Sequence, residues 1–314
     1  MTKAMVACAV ALLAAACGGP NTAGQTRPSK AGTLTPSVSA RPTAPTASPT
    51  LVPPVPGRTA TRNPAPHHIV LVVLENHSYG QIIGSPAAPF VNQLARDGAL
   101  FTHSFAVTHP SEPNYLALFS GSTQGVDDDS CPHTWRAPNL AASLAAAGKS
   151  FTGYAEGLPS VGSAECDSGD YARRHVPWVD FANVPASQSR PFSDFPARDP
   201  ASLPTVSWVI PNVCHDMHDC SVATGDGWLR QHLGPYLGWA KTHQSLLIVT
   251  FDEDDGNGDN HIATLFAGEG VKPGRYATRI THYNVLATIE AVYGLHRDGH
   301  AASAAPVTGI WSGR

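Results

Sequence analysis

Positive charge is scarce in this sequence. Lys and Arg together number 20 among 314 residues, and none of them gather into a run or a stripe interleaved with aromatics. Proteins that grip a nucleic-acid backbone do so largely by neutralising phosphates with Lys and Arg. A chain with a net charge of -4 is not built that way. Any anionic ligand must be met by a metal, by backbone amides or by some of the 15 histidines. Long apolar runs are missing too: the most apolar stretch, Ala4 to Ala16, falls short of the ~20 residues that a spanning helix needs. No Gly-x-Ser-x-Gly elbow and no Walker loop is present. Cys131 to Arg136 has too few intervening residues for a tyrosine-phosphatase loop. Asp255 to Asp259 begins like a calcium loop but continues with Asn260 and Phe266 where glycine and glutamate are required.

What is present at the start reads as an export signal. Lys3 precedes the apolar stretch, which closes on Leu13-Ala14-Ala15-Ala16-Cys17-Gly18, a lipoprotein-type processing site. Cleavage before Cys17 would leave a lipid-modified cysteine on the outer face of a membrane; ordinary secretory cleavage is the alternative. Residues 18–66 are dominated by Pro, Thr, Ser and Ala. Such a segment buries too little apolar surface to offset its ordering entropy, so a disordered stalk is expected. The folded part is then residues 67–314. It holds Cys131, Cys166, Cys214 and Cys220, an even number in an exported chain, which predicts two disulfides. Cys214–Cys220 closes a short loop at low entropic cost, leaving Cys131–Cys166 as the other pair.

Within that part, apolar runs alternate with helical patterns. His68 to Leu74, Thr205 to Ile210 and Leu246 to Phe251 are continuous β-rich runs, the mark of strands buried on both faces; Ser150 to Tyr154 and Ala263 to Ala267 are two further strands. Phe90 to Arg96, Asn139 to Ala147 and His282 to Tyr293 carry helical spacing and stop at Gly98, Gly148 and Gly294. The alternation predicts an α/β sandwich, three layers around a mostly parallel sheet, with its chemistry past the carboxyl ends of the strands.

Two of these strands run straight into acidic tips, Glu75-Asn76-His77 and Asp252-Glu253-Asp254-Asp255. Carboxylates gathered at neighbouring strand ends repel one another unless a cation lies between them. Oxygen-rich ligation suits a hard or borderline divalent ion, so a metal is expected here. Between the two tips lies Thr108-His109-Pro110-Ser111-Glu112-Pro113-Asn114-Tyr115. Ser111 there has two readings, which are compatible with each other: N-cap of the helix that follows, and a nucleophile at a helix N-terminus, where free N–H groups favour an anion. The segment Cys214-His215-Asp216-Met217-His218-Asp219-Cys220 also follows a strand. Histidines at such an end bind phosphoryl oxygens or protonate a leaving alkoxide at mildly acidic pH; His218 leads, then His109, with His261 and His282 as pocket residues.

Together, Glu75-Asn76-His77-Ser78, His109 to Tyr115, Asp216-Met217-His218-Asp219, Phe251 to Gly256 and Leu158-Pro159-Ser160-Val161-Gly162 resemble the phosphoesterase family of bacterial acid phosphatases and phospholipases C. The resemblance implies an alkaline-phosphatase-like α/β fold and one divalent metal ion. It places that ion on Glu75, Asn76, Ser111, Asp252 and Glu253, with Ser111 as nucleophile. The family's phosphate-contacting histidines map to His218 and then His109; Asp216 joins these two as a catalytic candidate, and Asn114, His218, His282 and His261 are the candidates for substrate contact. Serine as nucleophile leans towards the phosphatase branch, so the expected reaction is hydrolysis of a phosphate monoester or phosphoinositide through a phosphoserine. A phospholipase C-type phosphodiesterase is the alternative within the family. A non-catalytic surface lipoprotein with a structural cation is the alternative outside it. The chain is expected to act as a monomer, meeting a membrane only through its lipid anchor.

Overall fold

The computed structural model describes residues 65–312; the export signal, Cys17 and nearly all of the expected stalk lie outside the described residues. In chain order the first elements are β1 (His68–Leu74), α1 (Tyr79–Ile82), α2 (Pro89–Asp97), β2 (Ala99–Phe105), α3 (Ser111–Ser120), α4 (Leu140–Ala146) and β3 (Phe151–Ala155). There follow β4 (Asp167–Ser168), β5 (Tyr171–Ala172), β6 (Ser189–Pro191), β7 (Val206–Ile210), α5 (Val222–His232) and α6 (Gly234–Ala240). The chain finishes with β8 (Ser245–Phe251), β9 (His261–Gly268), β10 (Gly274–Tyr276), β11 (Ile280–Thr281) and α7 (His282–Tyr293).

One sheet organises the domain, in the order β10-β2-β9-β8-β1-β7-β3-β6, with β11 also paired to β2. All pairings are parallel except those of β9, which runs against both β8 and β2. The mostly parallel sheet therefore holds, with β9 returning as a hairpin partner after the acidic turn that follows β8. β1 shows why the runs are continuous. Ile69, Leu71 and Val73 enter one core, and Val70, Val72 and Leu74 enter the other. Each such side chain stabilises by roughly 1.5–3 kcal/mol on burial. Helices α3, α4 and α7 cover the first face; α1, α2, α5 and α6 cover the second. The result is a three-layer α/β sandwich.

Both expected disulfides are present, Cys131–Cys166 and Cys214–Cys220. The beginning of α3 differs from the cap reading: Pro110 occupies the N-cap position, and Ser111 is the first helical residue. Its hydroxyl is thus not spent on capping. β8, β1 and β7 are adjacent in the middle of the sheet, so the residues beyond their carboxyl ends are brought side by side.

Candidate active site

Backbone hydrogen bonds fasten three acidic residues together. Leu74 pairs with Phe251 at the ends of β1 and β8, and the Asp252 amide donates to Leu74 O at 2.8 Å. The Glu75 amide in turn donates to Asp216 O at 2.9 Å, in the loop after β7. Asn76 turns the chain away from the strand with φ 53°, a left-handed conformation that asparagine tolerates better than most residues. That turn lets its amide donate to Asp252 Oδ1 (3.0 Å) and its side chain to Glu75 Oε2 (3.3 Å).

Side chains from elsewhere complete the cluster. Ser111 Oγ donates to Glu75 Oε2 at 3.0 Å, and Tyr115, one turn along α3, donates to Glu75 Oε1. His175 stacks on Tyr115, with ring centroids 5.2 Å apart. Its Nε2 lies 3.4 Å from Glu75 Oε1 and its Nδ1 lies 3.2 Å from Asp216 Oδ2. Glu75, Asp252, Asp216, Ser111 and His175 are all buried.

Burial dominates the electrostatics. It pushes Glu75 well above the usual carboxylate range, reinforced by the charges of Asp252 and Asp216. Desolvation raises Asp252 as well and lifts Asp216 to about 7. The same burial depresses His175 to about 3, so its ring is neutral and keeps a lone pair. Asp252 Oδ2, Asp216 Oδ2 and His175 Nε2 form no hydrogen bond although buried, a condition that normally costs free energy. Glu75, His175 and Asp216 each offer a ligand atom within 4.8 Å of the others. Buried carboxylate oxygens with an imidazole nitrogen form a donor set that suits a divalent cation, which would remove the repulsion.

The other expected residues divide into two groups. Glu253 is turned to different partners: His109 Nδ1 at 3.0 Å and Asn114 Nδ2 at 3.2 Å, with burial first, then Asp252 and Asp129, raising it to about 9. His109 is exposed and also reaches Asp254 Oδ1 at 3.3 Å. His218 is exposed beside the cluster; its amide donates to Asp216 Oδ1 at 2.8 Å, its Nδ1 meets Asp219 Oδ1 at 2.6 Å, and its ring lies 5.9 Å from that of His175. With Nδ1 held by Asp219, Nε2 is the nitrogen left to meet a ligand.

Three expected pocket residues are engaged internally. The Asn114 side chain accepts from the Val107 and Thr108 amides and donates to Thr108 O and Pro110 O, bracing the turn that presents Ser111. His282 Nε2 donates to Asp252 O at 2.6 Å and is held to about 4 by burial, so a neutral ring supports the strand end from behind. His261 donates to Thr102 O at 2.9 Å and lies against Tyr79 and Phe105. Sequence reasoning did not single out His175 or Tyr115. His175 sits in a short 3-10 turn, Arg173–His175, within a stretch that has no strand or helix periodicity; its neighbouring Tyr-Ala-Arg-Arg gives no chemical cue.

The Phosphoesterase family profile matches residues 85–296. The chain is 54% identical over 257 residues to a phosphatidylinositol-3-phosphatase of Mycobacterium tuberculosis, covering 81% of this chain and 86% of that one. It is 32% identical over 246 residues to an acid phosphatase of Aspergillus fumigatus, covering 71% of this chain but 54% of the fungal one. The chain thus spans little more than half the length of that relative. Among solved structures, a Vibrio parahaemolyticus protein of the alkaline phosphatase superfamily superposes with a TM-score of 0.54 at 13% identity, covering 79% of this chain and 72% of its own. A phosphonate monoester hydrolase from Silicibacter pomeroyi gives 0.51 at 13% identity, with 78% of both chains covered. The fold resembles that of these two solved structures, and the chain belongs to the Phosphoesterase family.

Proposed function

We propose that this chain is an exported, metal-dependent acid phosphatase that hydrolyses phosphate monoesters through a phosphoserine at Ser111. The observation that carries this reading is the Ser111 hydroxyl, released from capping duty and donated to Glu75 within a buried acidic cluster. One divalent ion would be held by Glu75, Asn76, Ser111 and Asp252, with Glu253 supporting the site and Asp216 and His175 as further donors. Bound there, it would offset charge on the attacking oxygen and on a non-bridging phosphoryl oxygen.

The chain's own residues do the rest. Glu75 orients the Ser111 hydroxyl. As Oγ bonds to phosphorus its proton passes to its hydrogen-bond partner Glu75 Oε2, the bond from phosphorus to the ester oxygen breaks, and His218 or His109 gives that oxygen its proton. Water then attacks the phosphoserine, releasing inorganic phosphate and restoring Ser111. Asn114 and His282 act by fixing the turn and the strand end. The relative from M. tuberculosis makes phosphatidylinositol 3-phosphate a substrate to assay first. The two disulfides support export to an oxidising compartment, with Cys17 as the point of lipid attachment or with release into the medium.

Turnover of p-nitrophenyl phosphate at pH 5 to 7 tests the reading. Ser111→Ala is expected to lose activity by about 10³-fold or more, and thorough chelation to abolish it. Normal turnover in Ser111→Ala, or full activity after chelation, would overturn the mechanism. A preference for p-nitrophenylphosphorylcholine would move the chain to the diesterase branch.

A further inference from the structure

Glu156, the residue immediately after β3, lies outside the acidic cluster, yet its carboxylate is bound to the loop that feeds it. Oε2 accepts from the Asn212 amide at 3.1 Å and from His215 Nδ1 at 2.8 Å; Oε1 accepts from Trp228 Nε1 at 3.1 Å. Its own amide donates to Ile210 O at 2.9 Å. From this anchor the bonds continue inward. Asn212 Oδ1 accepts the His215 amide (2.9 Å), Asn212 O accepts the Asp216 amide (2.8 Å), and Asp216 O accepts the Glu75 amide (2.9 Å). The far side of the loop is tied by Cys214–Cys220. Helix α5 packs so closely that a Cβ on Gly225 would meet Met217 Cγ at 2.5 Å and His215 O at 2.8 Å.

We propose that Glu156 is a positioning residue for catalysis, setting the loop that carries Asp216 and His218 to the geometry the reaction needs. The proposal rests on the phosphatase reading above. Three donors converge on one carboxylate, so no neutral isostere satisfies them all: glutamine must turn an N–H₂ towards at least one N–H. The least crowded place for that group is the Oε1 position, which faces Trp228 alone. Removing the indole N–H should therefore relieve the conflict.

Purified Glu156→Gln, Glu156→Asp, Trp228→Phe and the double variant Glu156→Gln/Trp228→Phe are compared with wild type on p-nitrophenyl phosphate and glycerol 3-phosphate. Metal content and melting temperature are measured alongside. Glu156→Gln should lose about tenfold in kcat with KM within about twofold, equally on both substrates, because small misplacements of reacting groups are costly. Glu156→Asp, which keeps the charge but shortens the reach, should lose about threefold. The double variant should return to within about threefold of Trp228→Phe. Wild-type kcat in both Glu156 variants, or a double variant as slow as Glu156→Gln, overturns the proposal. A loss that differs between the two leaving groups overturns it in favour of direct substrate contact. Wild type without monoesterase activity would instead sink the phosphatase reading.

Discussion

Asp252 accepts the Asn76 amide on one oxygen and nothing on the other, and its buried neighbours Glu75 and Asp216 are acids. Under the metal-dependent reading proposed above, a residue placed like this destabilises the metal-free fold and would serve the metal-loaded one. Asp252→Asn is therefore expected to move stability and activity in opposite directions. The melting temperature in chelator should rise by a few degrees as repulsion is relieved, while turnover falls by about 100-fold or more; differential scanning fluorimetry beside an esterase assay checks both. Glu75 and Asp252 were legible in the sequence because each ends an unbroken apolar run. Ser111 was legible as a helix start but not as a free hydroxyl, since one residue of register decides between cap and first turn. His175 was not legible, because its place depends on Tyr115 stacking and on two carboxylates distant in sequence.

Helix α3 is the element on which the site depends. All ten of its residues are buried, from Ser111 to Ser120, so its position is set by packing on every side. It ends at Gly121 with φ 70°, a conformation that favours glycine. A Cβ there would also meet Asp298 O at 2.1 Å. Gly121→Ala is thus expected to destabilise by about 2–4 kcal/mol through strain and forced displacement, read from the denaturant midpoint, with activity lowered because the displaced helix carries Ser111. β1, β7 and β8 declared themselves through continuous burial. β2 did not, because its burial is broken at Thr102, His103 and Phe105, which leaves a mixed pattern. Helix α5 was hidden by two internal glycines and by Asp226, whose carboxylate faces inward to accept the Phe90 and Val91 amides. Propensity argues against that helix; tertiary contacts form it.

At the scale of the whole molecule, the buried groups make stability depend on pH in opposed ways. Asp216, raised to about 7, and Glu253, raised to about 9, hold protons in the metal-free fold that the unfolded chain releases near pH ~4. Their contribution is complete below that pH and is lost as pH rises through the folded values. His175 and His282, held to about 3 and about 4, are neutral in the fold; unfolded they take a proton near pH ~6.5. Their contribution is complete above that and is lost as pH falls through the folded values. Glu112 and Glu290, raised to about 8, and Asp180, raised to about 6, add to the acids, so the acids outnumber the two histidines and the metal-free protein should be most stable near pH ~4 to 5. Its melting temperature should drop by several degrees towards pH 8, and a saturating divalent ion should flatten that alkaline decline. Thermal melts across pH 4 to 9, with chelator and with metal, check this; a melting temperature that climbs from pH 5 to pH 8 in chelator would contradict it.

Strand β1 begins at His68 and delivers Glu75 at its other end. Seven residues of strand span about 23 Å, so the start of β1 and the candidate active site at its end are opposite poles of one rod. A solid support or fusion partner coupled at His67 itself would hold the domain by the end of β1 remote from Glu75.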